Sequence, residues 1–135
     1  MTSSSRIEWM GYDIRSQKDE GIDHISVKVR LSYQGNEITG EASGPRAPRS
    51  LLRLVAVATL NAVRKFFPNY GSWYVEDVVP SLKGTTSYVT VFLDLIRPRG
   101  SQQFIGTAFI QEDTQKAVGL ATLNAINRFL GASQE

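Results

Sequence analysis

At 135 residues, with a formal net charge of +2 and 21% charged residues, the chain has the length of one ordinary domain and no charge bias toward nucleic acid or an anionic membrane. The absence of cysteine excludes disulfides, thiol catalysis and zinc–thiolate sites, and fits a cytoplasmic location. No apolar run approaches the about 20 residues of a membrane span, and the opening MTSSSRIEW has no signal-peptide core, so no membrane partner is expected.

Residues 1–5 are small and polar and are expected to fray, as are 132–135. RIEWMGYDIRS then reads as a strand, with Ile7, Trp9, Tyr12 and Ile14 as its apolar positions, and QKDEG as a break. HISVKVRLSYQG alternates with period two: Ile25, Val27, Val29 and Leu31 fall on one face and Ser26, Lys28, Arg30 and Ser32 on the other. This is the pattern of a half-buried antiparallel strand. Gly35–Asn36 signals a hairpin turn, and EITGEASG returns as a third strand. After PRAPRS, with Ser50 as N-cap, apolar residues recur at intervals of three and four from Leu52 through Val55, Ala56 and Val63 to Phe66 and Phe67, the mark of an amphipathic helix. Pro68 stops it.

The second half repeats this order. WYVEDVVPSL is a strand in which Pro80 suits an edge or a bulge. SYVTVFLDLI is a longer strand, PRGS turns, and QQFIGTAFI returns, with Gly106 matching Gly40. Asp113 or Thr114 caps a helix that ends at Gly131. The helices share a phrase, ATLNAVRKFF from Ala58 and ATLNAINRFL from Ala121. The fold class expected is therefore α+β: a duplicated β-β-β-α unit in one domain, with repeats at about 6–69 and 71–131. Antiparallel sheet should carry two helices packed on one side, about an internal pseudo-two-fold, because one unit alone leaves the apolar face of its sheet uncovered.

Leu60/Leu123, Ala62/Ala125, Val63/Ile126 and Phe66/Phe129 are apolar in both copies and read as core. Ala58/Ala121 and Ala62/Ala125 allow close approach of the helix. Asn61 and Asn124 are repeated although asparagine is a mediocre helix former; a hydrogen bond across the pseudo-two-fold, a ligand contact and a solvated position are all open to them.

Catalytic signals are missing. The single histidine, His24, has no cysteine and no second histidine with which to build a metal site, and no Ser or Asp partner placed by motif. There is no phosphate-binding glycine loop. Neither an enzyme, a metal nor a cofactor is expected.

Two basic clusters remain. GPRAPRSLLR sets Arg46, Arg49 and Arg53 around the start of the first helix, where N–H groups and the helix dipole favour a small anion. RPRG sets Arg97 and Arg99 in a turn. As an alternative, a strand-strand-helix unit preceded by a basic loop resembles double-stranded RNA binding domains, which would make these five arginines polyanion contacts. The other helix start, QEDTQKA, is acidic, so nucleic acid is the less favoured partner.

The second half also resembles the end of the C-terminal regulatory domain of α-isopropylmalate synthase and citramalate synthase. The matching positions are Tyr74–Val75, the Val89–Leu95 strand, Gly106, Asp113–Thr114 and Asn124–Ala125–Ile126–Asn127; in the first half Gly40, Gly44 and Pro45 precede the helix as in that family's other unit. Ser43 and the arginine-rich loop depart from it. Over about residues 22–131, the resemblance implies the two-unit fold, a homodimer, and binding of a small amino acid or carboxylate near the interface of paired domains. It does not imply synthase catalysis, which requires a barrel of roughly 250 residues. The reading is a non-catalytic regulatory or small-ligand-binding and dimerisation module, with Arg46, Arg49, Arg53, Asn61 and Asn124 as candidate ligand contacts.

Overall fold

A computed structural model describes residues 6–133 apart from Pro48; of the termini expected to fray, 1–5 and 134–135 lie outside the described residues, whereas 132–133 are helical. The order is β1 (Glu8–Asp19), β2 (Ile22–Tyr33), β3 (Asn36–Pro45), α1 (Ser50–Phe66), β4 (Ser72–Lys83), β5 (Thr86–Arg97), β6 (Gly100–Phe109) and α2 (Thr114–Ser133). The fold is α+β, a β-β-β-α unit written twice. The strands form two antiparallel three-stranded sheets, β1-β2-β3 and β4-β5-β6. No helix among the described residues is long and apolar enough to cross a membrane.

Alternation sets the inner face of each central strand. Ile25, Val27, Val29 and Leu31 of β2 and Val89, Val91, Leu93 and Leu95 of β5 are all buried. They join the helices in one continuous core. α1 packs on β2 and β3 and also touches β4 of the other sheet; α2 packs on β5 and β6 and touches β1; the helices touch each other. The helices thus lie on the inner side of each sheet, between the two. α1 is covered on more sides than an amphipathic stripe requires: from Leu51 to Phe66 only Arg53, Arg64 and Lys65 are exposed, the signature of a helix enclosed by its neighbours.

Equivalent positions recur in both units. Trp9 pairs with Leu31, and Trp73 with Leu95. Gly40 faces Ala58 and Ala62, and Gly106 faces Ala121 and Ala125, so closely that a Cβ on either glycine would overlap helix backbone. Buried Thr59 and Thr122 each donate to the carbonyl four residues back, Val55 O and Val118 O, at 2.8 Å. Lys65 Nζ donates to Thr39 O and Arg128 Nη1 to the equivalent Ile105 O. The repeated phrase is therefore a docking strip: two alanines against a strand glycine, a threonine closed on its own helix, and a leucine in the core. A chain of aromatic contacts, Tyr33–Phe67–Tyr70–Phe129–Trp73, links the two halves.

Several boundaries differ from the sequence reading. β1 runs through Gln17–Asp19, and only Glu20 and Gly21, both at positive φ, make the turn. The second hairpin turns on Gln34–Gly35, with Asn36 already paired to Tyr33, because the two positive-φ positions of a tight hairpin fall one residue earlier. Ser50 opens α1 rather than capping it. Its hydroxyl accepts from Ala47 N and donates to Ala47 O, and Arg49 occupies the cap position in the left-handed conformation. Asp113 does cap α2, accepting from Lys116 N at 2.6 Å. α2 continues past Gly131 to Ser133. Pro80 lies on an edge strand, as its missing N–H requires.

Candidate functional site

The free edges of β1 and β6 stand either side of α2 and leave a groove of about 730 Å³ between them, within the range of small-molecule sites. Its β1 wall is built around a bulge. Trp9 pairs with Leu31 and Gly11 with Arg30, leaving Met10 unpaired between them. Gly11 has φ 153, and a Cβ there would stand 2.5 Å from the Arg30 guanidinium. Glycine is thus favoured by its conformation, and the end of the flexible Arg30 side chain lies across it. Arg30 reaches the groove over this glycine, and its buried Nε has no hydrogen-bond partner among the described residues.

The floor is α2, with Lys116, Leu120, Leu123, Asn124 and Asn127 lining the groove. Asn127 fastens the approach to β1: its Oδ1 accepts from Ile7 N at 2.8 Å and its Nδ2 donates to Ile7 O at 3.0 Å. Trp9 lies against Gly119, where a Cβ would overlap its ring, and its ring is 6.1 Å from that of Tyr12. The Tyr12 phenol is raised above its ordinary pKa of 10.0, first by burial, then by the negative charge of Asp113 and the hydrogen bond to it. Lys116 pairs with Glu112 at 3.3 Å on the exposed rim. The lining thus combines cations (Arg6, Arg30, Lys116), anions (Glu8, Glu112, Asp113) and apolar surface.

The equivalent space in the other unit, between β3 and β4 over α1, is crossed by side chains. Arg53, which corresponds to Lys116, donates to Val75 O at 2.6 Å and Glu76 O at 3.5 Å. Arg64, which corresponds to Asn127, donates to Trp73 O. Asn61 gives its Nδ2 to Glu41 O at 2.7 Å and accepts from Arg64. Asn124 instead accepts from Arg128 at 3.1 Å, and its amide nitrogen has no partner among the described residues. Among the described residues neither asparagine is bonded across the pseudo-two-fold.

The structure does not gather the sequence candidates into one place. Arg46 donates to Ser16 Oγ at 3.3 Å on β1, Arg53 turns to β4, and exposed Arg49 sits at the start of α1. Arg97 lies over the Phe129 ring, 5.0 Å from its centroid, and Arg99 is exposed in the following turn. Of the five ligand candidates, Asn124 alone lines the groove. Trp9, Gly11, Tyr12, Arg30, Lys116 and Asn127 were not singled out as site residues. The available signal was difference rather than repetition: Lys116 and Asn127 stand where the first copy has Arg53 and Arg64. Among the described residues no group of three or more His, Cys, Asp or Glu could hold a metal ion. No protein-family model matches the chain, and no curated protein sequence matches it.

Proposed function

We propose that this chain is a non-catalytic regulatory module that holds a small amino acid or short-chain carboxylate in the β1–β6 groove and acts as a homodimer. The observation that carries the reading is the asymmetry between the two equivalent spaces: arginines cross one, while the other is open and keeps on its floor an asparagine amide with no partner among the described residues. Donors of Arg30, Lys116 and Asn124 suit a carboxylate, the carboxylates of Glu8 and Glu112 suit an ammonium group, and Trp9 and Leu123 offer apolar cover. The resemblance to the synthase regulatory domains is consistent with the same ligand class. The polyanion alternative draws on arginines of which Arg53 is tied to β4 and Arg97 to Phe129.

A thermal-shift screen with amino acids, short-chain carboxylic acids and nucleotides tests the reading, with a duplex RNA gel shift as the control. A small acid or amino acid should raise the melting temperature, and Lys116→Met should weaken that binding by about tenfold or more, the loss of one charged hydrogen bond. A screen without hits, or a ligand equally well bound by Lys116→Met, contradicts it. A gel shift at physiological salt without a small-ligand hit favours the polyanion alternative.

A further inference from the structure

The outer faces of the two sheets are equivalent in the repeat, but the second carries exposed apolar residues among its polar ones. On the first sheet the outward residues of β2 are His24, Ser26, Lys28, Arg30 and Ser32, beside Asp13, Arg15 and Gln17 of β1. On the second, β5 turns out Tyr88, Thr90, Phe92, Asp94 and Ile96, and β6 adds Ile105 and Phe109. Ile96 is 46% exposed, Ile105 43% and Phe109 64%. The duplication supplies an internal comparison. A solvated outer face of this fold is made of polar and charged residues, as the first sheet demonstrates, so the apolar residues of the second require cover.

We infer that this face is the homodimer interface, covered by the same face of a second copy. The strand register fixes how two copies meet. Consider a two-fold axis lying between the sheets, perpendicular to the strands and passing over Thr90. It keeps β4 opposite β4 and reverses strand direction. The central row of Val79, Thr90 and Thr107 then meets itself. Phe92 meets the partner's Tyr88, and Ile105 meets the partner's Phe109. Lys83, two rows from Thr90 on one side, comes opposite the partner's Tyr74, two rows away on the other, with the partner's Glu76 beside it between the first and second rows. Glu76 is the bulge residue of β4, and its carboxylate accepts from Gln103 of β6, which places it on this face. A concavity of about 410 Å³ beside Lys83, Tyr88 and Phe109 lies where the partner's Phe92 and Ile105 arrive. An axis along β5 would instead set Asp77 against the partner's Ile105 and leave Lys83 and Glu76 unpaired. Three strands spaced about 4.8 Å apart, with rows from Thr86 to Ile96, give a face of about 14 by 34 Å, so two copies bury on the order of 1,000 Å², the size at which a specific interface begins.

This inference rests on the self-association in the reading above, and not on ligand binding. Sedimentation velocity of the full chain over a wide concentration range tests it. The wild type should dimerise. Thr90→Arg, which sets two guanidinium groups against each other on the axis, should be monomeric with an unchanged circular dichroism spectrum. Lys83→Glu should weaken the dimer by about tenfold or more, and adding Glu76→Lys should restore it. Should Thr90→Arg fail to fold, this exposed charge pair decides alone. A monomeric wild type overturns the inference and self-association together. A dimer indifferent to Thr90→Arg and Lys83→Glu overturns this face and leaves self-association standing. A charge swap that does not restore the dimer overturns the orientation.

Discussion

Replacing Gly40 by alanine adds one carbon and should unseat a helix. The new Cβ would stand 2.9 Å from Ala62 Cα and nearer still to Ala58 O and Ala62 N, all backbone atoms of α1. No rotamer change relieves a backbone contact, so α1 must lift from β2 and β3, loosening core residues that are fully buried. Overpacking of this kind costs about 3 kcal/mol, the upper end of the usual range. The change in chain entropy acts the other way, since Gly→Ala at a compatible position stabilises by about 0.4–1 kcal/mol. Gly44, four residues along the same strand, isolates that term: its added Cβ would meet only Leu54 side-chain carbons at 3.7 and 3.9 Å, an ordinary contact. The entropy term is common to both alanines, so urea unfolding should separate them by about 3 kcal/mol, or roughly 1.5 M in midpoint at an m-value of about 2 kcal/mol/M. Gly106→Ala should behave as Gly40→Ala does, because its Cβ meets Ala121 O and Ala125 N in the same way. The close-docking account is refuted if Gly40→Ala matches the wild-type midpoint, or if Gly44→Ala falls as far.

Leu60→Ala and Leu123→Ala, at side chains 1% and 4% exposed, should each cost about 2–5 kcal/mol in urea melts. Asn127→Ala removes both hydrogen bonds to Ile7; it should cost about 1–3 kcal/mol and speed hydrogen exchange at the Ile7 amide. The folded-state pKa of Tyr12 lies above its unfolded value of 10.0, so its contribution to stability is complete below that pH and declines as pH rises through the folded value. Asp113→Asn should lower the tyrosine titration seen by ultraviolet absorbance and leave the α2 cap nearly intact, because asparagine caps about as well as aspartate.

Much of the architecture could be read from spacing. The alternation at Ile25–Leu31 assigned the inner face of β2 correctly, and the repeated phrase identified both helices and the duplication. Gly40 and Gly106 were matched from sequence, though only the structure shows what they face. Periodicity did not reveal that α1 is covered on nearly every side. An amphipathic reading counts the apolar stripe, while Leu54, Val57 and Asn61, half-buried beside it, are covered by surroundings that the sequence of the helix does not contain. Ser50 has the residue type of a cap, but its hydroxyl is engaged backward to Ala47. The groove was least legible, because its walls come from β1 and β6 and its floor from α2, segments about a hundred residues apart. Its openness depends on a substitution between copies: lysine at 116 pairs with Glu112 where Arg53 reaches across to β4.

The two tryptophans at equivalent strand positions provide the most direct measurement of whether the open groove is a ligand site. Trp9 lines it, and Trp73 is buried in the aromatic cluster of the other unit, 5.5 Å from Phe104 and Phe129. An amide and indole proton–nitrogen correlation spectrum, followed as the amino acids and short-chain carboxylic acids are titrated in, reads both indoles at once. A binding ligand should move the Trp9 indole, the Gly11 amide and the Asn124 side-chain amide, and leave the Trp73 indole in place. Movement confined to Trp73 or to the Arg46–Arg53 segment, or no movement with any of these compounds, would contradict the account.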